Sequence, residues 1–275
     1  MLRKLLKYDL KAVFRLWWAA AAVSVIMAVV GGFANAILNT DRDLPMAVRT
    51  TASMVQFLAL FSFIAFFLVM LVMIFVRYYR NFFTDEGYLT FTLPVSRKAL
   101  LNSKALMGVI ALGATAGVCS ADLALMAFIG DRDYYLSEKF RNDAARFFKE
   151  MFESIGGYSF LYALEIAVLG AAVLLFTVLF LYTCVTFASM IVKKGKLIAA
   201  IGIYYGANSL FSFIIQMMVL FVVPSIMVWT NGLSDQMSCP VTALMLLLLI
   251  CYVGMFCGIL YTLTYRMLDR KLNLS

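Results

Sequence analysis

Long apolar runs separated by short polar segments dominate this chain. A helix needs about 20 apolar residues, at 1.5 Å per residue, to cross the ~30 Å hydrocarbon core of a membrane. Six runs are long enough, and we predict membrane-spanning helices at residues 17–38, 54–76, 105–130, 158–192, 197–223 and 241–264. Pro224 follows the fifth run and should end or kink that helix, because proline lacks a backbone N–H. Residues 224–240 are therefore expected to dip partway back into the membrane.

The composition of the chain, taken with these runs, indicates its fold class. The chain is 64% apolar and 14% charged, whereas a soluble domain is about 45–50% apolar and about 25% charged. The runs are much longer than the roughly 10-residue alternating strands of a membrane barrel, and an open sheet edge cannot face lipid. We predict an all-α polytopic membrane protein with a single transmembrane domain over residues 1–275.

The charged residues predict the orientation of the six helices. The segments on the side that holds both termini carry 16 Lys and Arg residues, against 7 on the other side. Acidic residues show the opposite bias, with four and nine. Cytoplasmic loops carry the excess of basic residues, so we predict N-in and C-in topology in the cell membrane. The net charge of +8 suits a surface beside anionic lipid headgroups, and no nucleic-acid partner is needed to explain it.

The first 16 residues predict a basic amphipathic helix. At 100° per residue one arc is apolar and the opposite arc is basic. The apolar arc holds Leu2, Leu5, Leu6, Leu10, Val13 and Leu16, and the basic arc holds Arg3, Lys4, Lys7, Lys11 and Arg15. Asp9 is the exception on the apolar side. We predict an elbow helix over 1–16 in the headgroup plane, anchored by Trp17 and Trp18; ordinary flanking charge is the alternative.

Residues 77–104 form the most informative polar segment, RYYRNFFTDEGYLTFTLPVSRKALLNSK. Its ends are basic, and Asp85 and Glu86 lie in its middle. Ser96 is a good N-cap for the helix that follows, since its hydroxyl can accept from a backbone N–H. The segment has no His, no nucleophile beside a base and no phosphate-binding glycine loop. It therefore favours a surface that docks on another protein, with a solvated hairpin as the alternative.

The string TDEGYLTFTLPVSRKALLNSK at 84–104 resembles the first cytoplasmic loop of bacterial ABC type-2 transporter permeases. In that family the loop fits into a cleft on the ATP-hydrolysing subunit. The resemblance implies that Asp85, Glu86, Gly87, Tyr88 and Leu89 make the contacts with that subunit. Carboxylates would pair with basic residues of the partner, while the tyrosine and leucine would supply buried area.

The same resemblance implies the rest of the assembly. The chain has no GxxxxGK[ST] loop, so it would be a membrane subunit rather than an enzyme, with ATP and Mg²⁺ bound by the partner. A second permease, identical or related, would complete the pathway. The cargo would be amphipathic or hydrophobic, such as an antimicrobial peptide or a drug, and it would be exported. The rival functions are a secondary transporter and a non-transporting membrane sensor or assembly protein, neither of which has an ATPase partner.

Four polar residues within the apolar runs are candidates for a transport pathway: Asp122, Glu165, Asn208 and Gln216. Intramembrane carboxylates usually face protein or water, and two of them near the outer ends of the third and fourth spans would suit a cationic cargo. The alternative is that Asp122 is hydrogen-bonded to its neighbours and that Glu165 is interfacial because the fourth run is overlong.

Three further patterns concern packing and the outer surface. Residues 131–157 place Phe140, Ala144, Phe147, Met151 and Ile155 at helical spacing, which predicts an extracellular helix that lies on the bilayer or caps the bundle. Most of the GxxxG pairs at 113/117, 202/206 and 254/258 are expected to pack spans within the subunit, and at most one to mark a subunit interface. Five scattered Cys and no His make a metal site improbable.

Overall fold

The computed structural model describes residues 2–40, 44–84, 87, 95–192, 195–230 and 235–270, and these residues contain helices and no strand. The helices are α1 (Leu2–Leu38), α2 (Met46–Phe83), α3 (Arg97–Gly130), α4 (Arg132–Leu136), α5 (Glu138–Ile155), α6 (Ser159–Ile191), α7 (Lys196–Thr230) and α8 (Asp235–Arg270). A 3₁₀ turn, Gly156–Tyr158, precedes α6. The prediction of an all-α protein is confirmed.

Five helices in the described part are long and apolar enough to cross a membrane: α1, α2, α3, α6 and α8. The remaining predicted span, the fifth at 197–223, lies within α7, and its crossing of the membrane stays a prediction. The helices extend beyond the apolar runs: α2, for example, covers Met46–Phe83 against the predicted 54–76. Hydropathy identifies only the residues that suit the lipid core, whereas the helical backbone can continue into flanking polar residues of good helix propensity.

Two predictions about helix ends are not supported. Helix α1 runs unbroken through residues 16 and 17, so a separate elbow helix is not confirmed; no glycine or proline precedes Gly31 to break it. Its 37 residues make it about 55 Å long at 1.5 Å per residue. Pro224 does not end α7, which continues to Thr230, and 235–240 already belong to α8. The expected end of the helix at Pro224 is thus wrong, whereas the dip of residues 224–240 into the membrane stays a prediction, and 231–234 lie outside the described part.

The predicted outer helix is divided in two. Ser137 has extended backbone (φ −72°, ψ 152°) between α4 and α5. Its hydroxyl donates to Tyr134 O at 2.6 Å and accepts from the N–H of Phe140 at 3.1 Å. A serine in this position closes the first helix and N-caps the second. Helix α5 therefore begins with a fixed direction relative to α4.

The chain divides into two units, which are described separately. Unit 1 covers Met1–Leu2, Phe75–Ala105 and Ile155–Ser275, and unit 2 covers Arg3–Ile74 and Leu106–Ser154. In unit 2, α1 and α3 run parallel, because the hydrogen bonds Trp17–Thr115 and Ser24–Asp122 advance together along both helices. Helix α2 runs antiparallel to α1 in the same unit, with Gly31 beside Ala59 and Asn35 beside Gln56.

In unit 1 the same reasoning gives the directions of the last three helices. Helices α6 and α7 are antiparallel, since the ring pairs Phe176–Phe211 and Phe180–Tyr204 run in opposite order. Helices α6 and α8 are parallel, as the hydroxyl contacts Tyr162–Thr242 and Thr183–Thr264 show. Helix α7 thus runs in the opposite direction to α6 and α8. Three successive crossings of a membrane would produce this order of directions.

Small residues set the helix spacing in unit 2. A Cβ on Gly31 would lie 2.5 Å from Ala59 Cβ, and one on Gly32 would lie 2.7 Å from Ile129 Cβ. Helix α1 therefore touches both α2 and α3 at van der Waals distance, as small residues in membrane helices allow. By contrast, no atom of the described chain lies within 4 Å of such a Cβ at positions 117, 202, 206, 254 and 258. At these five positions the expectation that GxxxG pairs pack spans within the subunit is wrong.

Candidate functional site

The predicted coupling loop joins the end of α2 to the start of α3. Asp85, Glu86, Tyr88 and Leu89 lie outside the described residues, and Gly87 is described. The N–H of Gly87 donates to Thr84 O at 2.7 Å, and a Cβ there would lie 2.8 Å from Phe82 O and 2.9 Å from Phe82 C. Backbone atoms cannot move aside as a flexible side chain can. The turn after α2 thus requires glycine at this position.

The α2 end of the loop is fixed to α6. Tyr78 is fully buried and stacks on Tyr182, with ring centroids 3.9 Å apart and ring planes 9° from parallel. The hydroxyls of Tyr78 and Thr186 are hydrogen-bonded at 3.0 Å, and Tyr182 Oη donates to Lys104 O at 2.9 Å. Tyr182 therefore connects the helix that enters the loop with the helix that leaves it.

The α3 end of the loop is fixed to the C-terminal end of α8. Arg97 Nη1 donates to Leu268 O at 3.2 Å, to Asp269 O at 2.7 Å and to the Asp269 carboxylate at 2.9 Å. The last carbonyls of a helix have no partner within it and carry partial negative charge. A guanidinium is well shaped to satisfy several of them at once. Arg97 thus caps α8 from another helix.

Neighbouring side chains extend this attachment along α3. Lys98 Nζ lies 5.3 Å from the ring centroid of Tyr265, a cation–π distance. Tyr261 Oη donates to Asn102 Oδ1 at 2.8 Å. The predicted N-cap of α3 is confirmed, since Ser96 Oγ accepts from the N–H of Ala99 at 3.3 Å. Both ends of the loop are therefore mounted on α6 and α8 within unit 1.

Asp122, predicted as a pathway residue, is 2% exposed and accepts a hydrogen bond from Ser24 Oγ at 2.8 Å. About two helical turns away, Trp17 Nε1 donates to Thr115 Oγ1 at 3.0 Å, although the sequence suggested that Trp17 anchors the chain at the membrane surface. Both bonds join α1 to α3. Of the two interpretations of Asp122, the structure favours a packed and hydrogen-bonded carboxyl.

Glu165 is 8% exposed, and its Oε2 is buried with no hydrogen-bond partner in the described chain. It lies on the face of α6 that contacts α8, between the Tyr162–Thr242 contact and the bond from Cys257 Sγ to Ala172 O at 3.7 Å. Burying a carboxylate without a partner is costly. Among the predicted pathway residues, Glu165 has the strongest need for a ligand.

Asn208 and Gln216 are both exposed on α7 rather than packed inside unit 1. Gln216 shares a face of α7 with Gly202, Gly206 and Ser209, all exposed, whereas Asn208 lies on a different side of the helix. A lipid-facing surface rarely carries so many polar and small residues. Asn208 and Gln216 are thus not brought together with Glu165 by any described contact, and their role in transport stays a prediction.

Among the described residues, no group of three or more Cys, Asp and Glu could hold a metal ion. The length and apolar composition of the five helices indicate a membrane-embedded protein. Comparison with known protein families, curated proteins and solved structures finds no match.

Proposed function

We propose that this chain is the membrane-spanning subunit of a bacterial ABC exporter of the type-2 permease class. Its 77–104 loop would dock on a separate ATP-binding subunit, which binds ATP and Mg²⁺. Closure of the ATPase dimer would push on this loop, and the helices attached to it would move. Cargo would then leave towards the outer side of the cell membrane.

The mounting of the loop is the observation that carries this proposal. A loop that transmits force must be attached rigidly to the helices that it moves. Tyr78 and Tyr182 attach it to α6, and Arg97 attaches it to α8. A solvated hairpin would need none of these long-range bonds. Two segments that are predicted to be cytoplasmic, the 77–104 loop and the end of α8, are therefore joined directly within unit 1.

Co-purification of the ATPase tests this proposal. The chain is expressed together with its gene neighbours, and Gly87→Val is compared with Gly117→Val, whose Cβ meets no described atom within 4 Å. A side chain at Gly87 must displace the backbone of Phe82 and change the shape of the loop. We expect Gly87→Val to reduce the co-purified ATPase about tenfold, which corresponds to about 1.4 kcal/mol of binding free energy.

Three other outcomes are informative. Equal ATPase with both variants would move the docking surface away from the loop. Loss of the ATPase from both variants would mean that the changed shape of the loop is not the cause of the loss. An absence of ATPase even with the unsubstituted chain would overturn the proposal in favour of a secondary transporter or a sensor. Membrane insertion of every variant is checked by its yield and its elution as a single species.

A second permease subunit would cover the exposed face of α7. Gly202 and Gly206 leave room for close approach of another helix, and Ser209 and Gln216 can donate hydrogen bonds across such an interface. Lipid offers no partner for these groups in the hydrocarbon core. Protein is therefore the better neighbour for this face.

Photo-crosslinking tests this interface. Ser209 is replaced by p-benzoylphenylalanine, and Val72, which is exposed in the apolar middle of α2, is replaced in the same way as a control. We expect position 209 to crosslink to a second permease, identical or related, and position 72 to crosslink to lipid alone. If both positions gave only lipid adducts, the α7 face would not be the subunit interface.

The cargo part of the proposal rests on Glu165. A buried carboxyl without a described partner suits a cationic group, so an amphipathic cationic molecule, such as an antimicrobial peptide or a drug, is the proposed cargo class. Glu165→Gln keeps the shape of the side chain and removes its charge. We therefore assign to Glu165 the selectivity for positive charge in the pathway.

A further inference from the structure

Helix α5 carries an apolar face that the described chain leaves open at its C-terminal half. Phe147, Phe148 and Phe152 are 63%, 54% and 54% exposed. They follow one another at positions i, i+1 and i+5, which places them on one side of a helix. A soluble surface rarely presents three adjacent phenylalanines in this way.

The N-terminal half of the same face is covered. Phe140 packs on Tyr135 with ring centroids 4.8 Å apart and on Tyr134 at 5.5 Å, both from α4. The Ser137 cap fixes where α5 begins. The direction of α5 is thus set by its own neighbours, and its open phenylalanines are presented by a positioned helix.

The chain on each side of α5 determines what can cover this face. Helix α3, a candidate membrane span, ends at Gly130, eight residues before Glu138, where α5 begins. The next candidate span begins at Gly156, directly after Ile155, where α5 ends. A helix tied between the ends of two spans cannot leave the membrane surface by more than these short connections. The apolar surface nearest to it is the bilayer.

The polar side of α5 indicates how it would bind that surface. The helix carries four basic residues and four acidic residues, so it has no net charge; they are Lys139, Arg141, Arg146, Lys149, Glu138, Asp143, Glu150 and Glu153. Attraction to anionic headgroups therefore contributes little, unlike at the basic N-terminal segment of α1. Apolar insertion is the remaining driving force.

We propose that α5 is an interfacial helix that inserts Phe147, Phe148 and Phe152 into the outer leaflet of the bilayer, independently of lipid charge. The occupant of this face is the acyl-chain boundary beneath the headgroups. This surface is distinct from the coupling loop and does not depend on the proposed export function. It would hold the outer connection between α3 and α6 flat on the membrane.

Site-directed spin labelling of the full chain in nanodiscs tests the proposal. The five native cysteines are replaced by alanine, and single labels are placed at 147, 148 and 152, with matched labels at the exposed polar positions Asn142 and Arg146. Oxygen concentrates in lipid, and the complex NiEDDA concentrates in water. We expect a higher ratio of oxygen to NiEDDA collision rates at the three phenylalanine positions than at both polar positions.

Changing the lipid composition distinguishes apolar insertion from attraction to anionic headgroups. The pattern should be the same in nanodiscs of phosphatidylcholine alone and in nanodiscs that also contain phosphatidylglycerol. High NiEDDA collision rates at 147, 148 and 152 would show that the face is in water and would overturn the proposal. Low collision rates for both reagents would show that protein covers the face, which would overturn it equally. A pattern that appears only with phosphatidylglycerol would contradict insertion independent of lipid charge.

Discussion

Gly31→Leu is expected to destabilise the protein by about 3 kcal/mol or more, at the upper end of the cost of overpacking. A Cβ on Gly31 would already lie 2.5 Å from Ala59 Cβ and 3.3 Å from Met126 Sδ. Ordinary carbon contacts need about 3.5–4.0 Å, so α1 would have to separate from α2. The measurement is the midpoint of thermal unfolding in detergent, read from the fraction that elutes as folded protein after heating.

Gly170→Leu on α6 is the matched control for this substitution. No described atom lies within 4 Å of a Cβ at position 170, and leucine has a higher helix propensity than glycine. We expect Gly170→Leu to leave the midpoint unchanged or to raise it. Equal losses for both variants would mean that glycine is needed for a reason other than the contact between α1 and α2.

Tyr182→Ala is expected to cost about 3–5 kcal/mol, the usual loss for truncating a large buried aromatic side chain. Tyr182 is fully buried, and its ring stacks on Tyr78. Tyr182→Phe keeps the ring and loses only the hydrogen bond to Lys104 O, so its cost should be about 1 kcal/mol. Reversible unfolding in mixed detergent, followed by circular dichroism, compares the free energies of unfolding.

The control for Tyr182 is Tyr8→Ala, because Tyr8 is 72% exposed on α1. Its truncation should be close to neutral. If Tyr182→Ala lost no more stability than Tyr182→Phe, the stacked pair would contribute nothing to the mounting of the loop. If Tyr8→Ala were as costly as Tyr182→Ala, the exposed tyrosine would have a partner that its exposure does not suggest.

The apolar runs predicted where helices lie, but not how far each helix extends or how helices pair. Hydropathy located α2, whereas the helix continues to Phe83 through residues 77–83, a mixture of charged, polar and aromatic side chains that a hydropathy pattern does not mark as helical. The GxxxG spacing was misleading, because Gly202 and Gly206 have the same spacing as a packed pair and yet meet no described atom. Gly31 and Gly32, which do set helix contacts, follow each other directly. The spacing of glycines alone does not indicate which residues of a neighbouring helix face them.

Only those features of the site that depend on residues close together in the sequence could be predicted. Ser96 was recognisable as an N-cap because capping acts within three residues. Asp122 was visible as a buried carboxyl, but its partner Ser24 is 98 residues away in sequence. The same holds for Tyr78 with Thr186, which are separated by 108 residues. Partners so distant depend on tertiary packing, which no local pattern in a single sequence records.

The bond between Arg97 and α8 also orders events during synthesis. Arg97 and Leu268 are 171 residues apart, and ribosomes add roughly 5–20 residues per second. On the order of 10–30 s therefore pass at those rates between the synthesis of the arginine and that of the carbonyl that receives it. A nascent chain stalled before α8 would have inserted its first helices while the α3 end of the loop was still not attached to α8. The proposed ATPase partner would then find a loop attached at both ends only on chains whose last helix has been made.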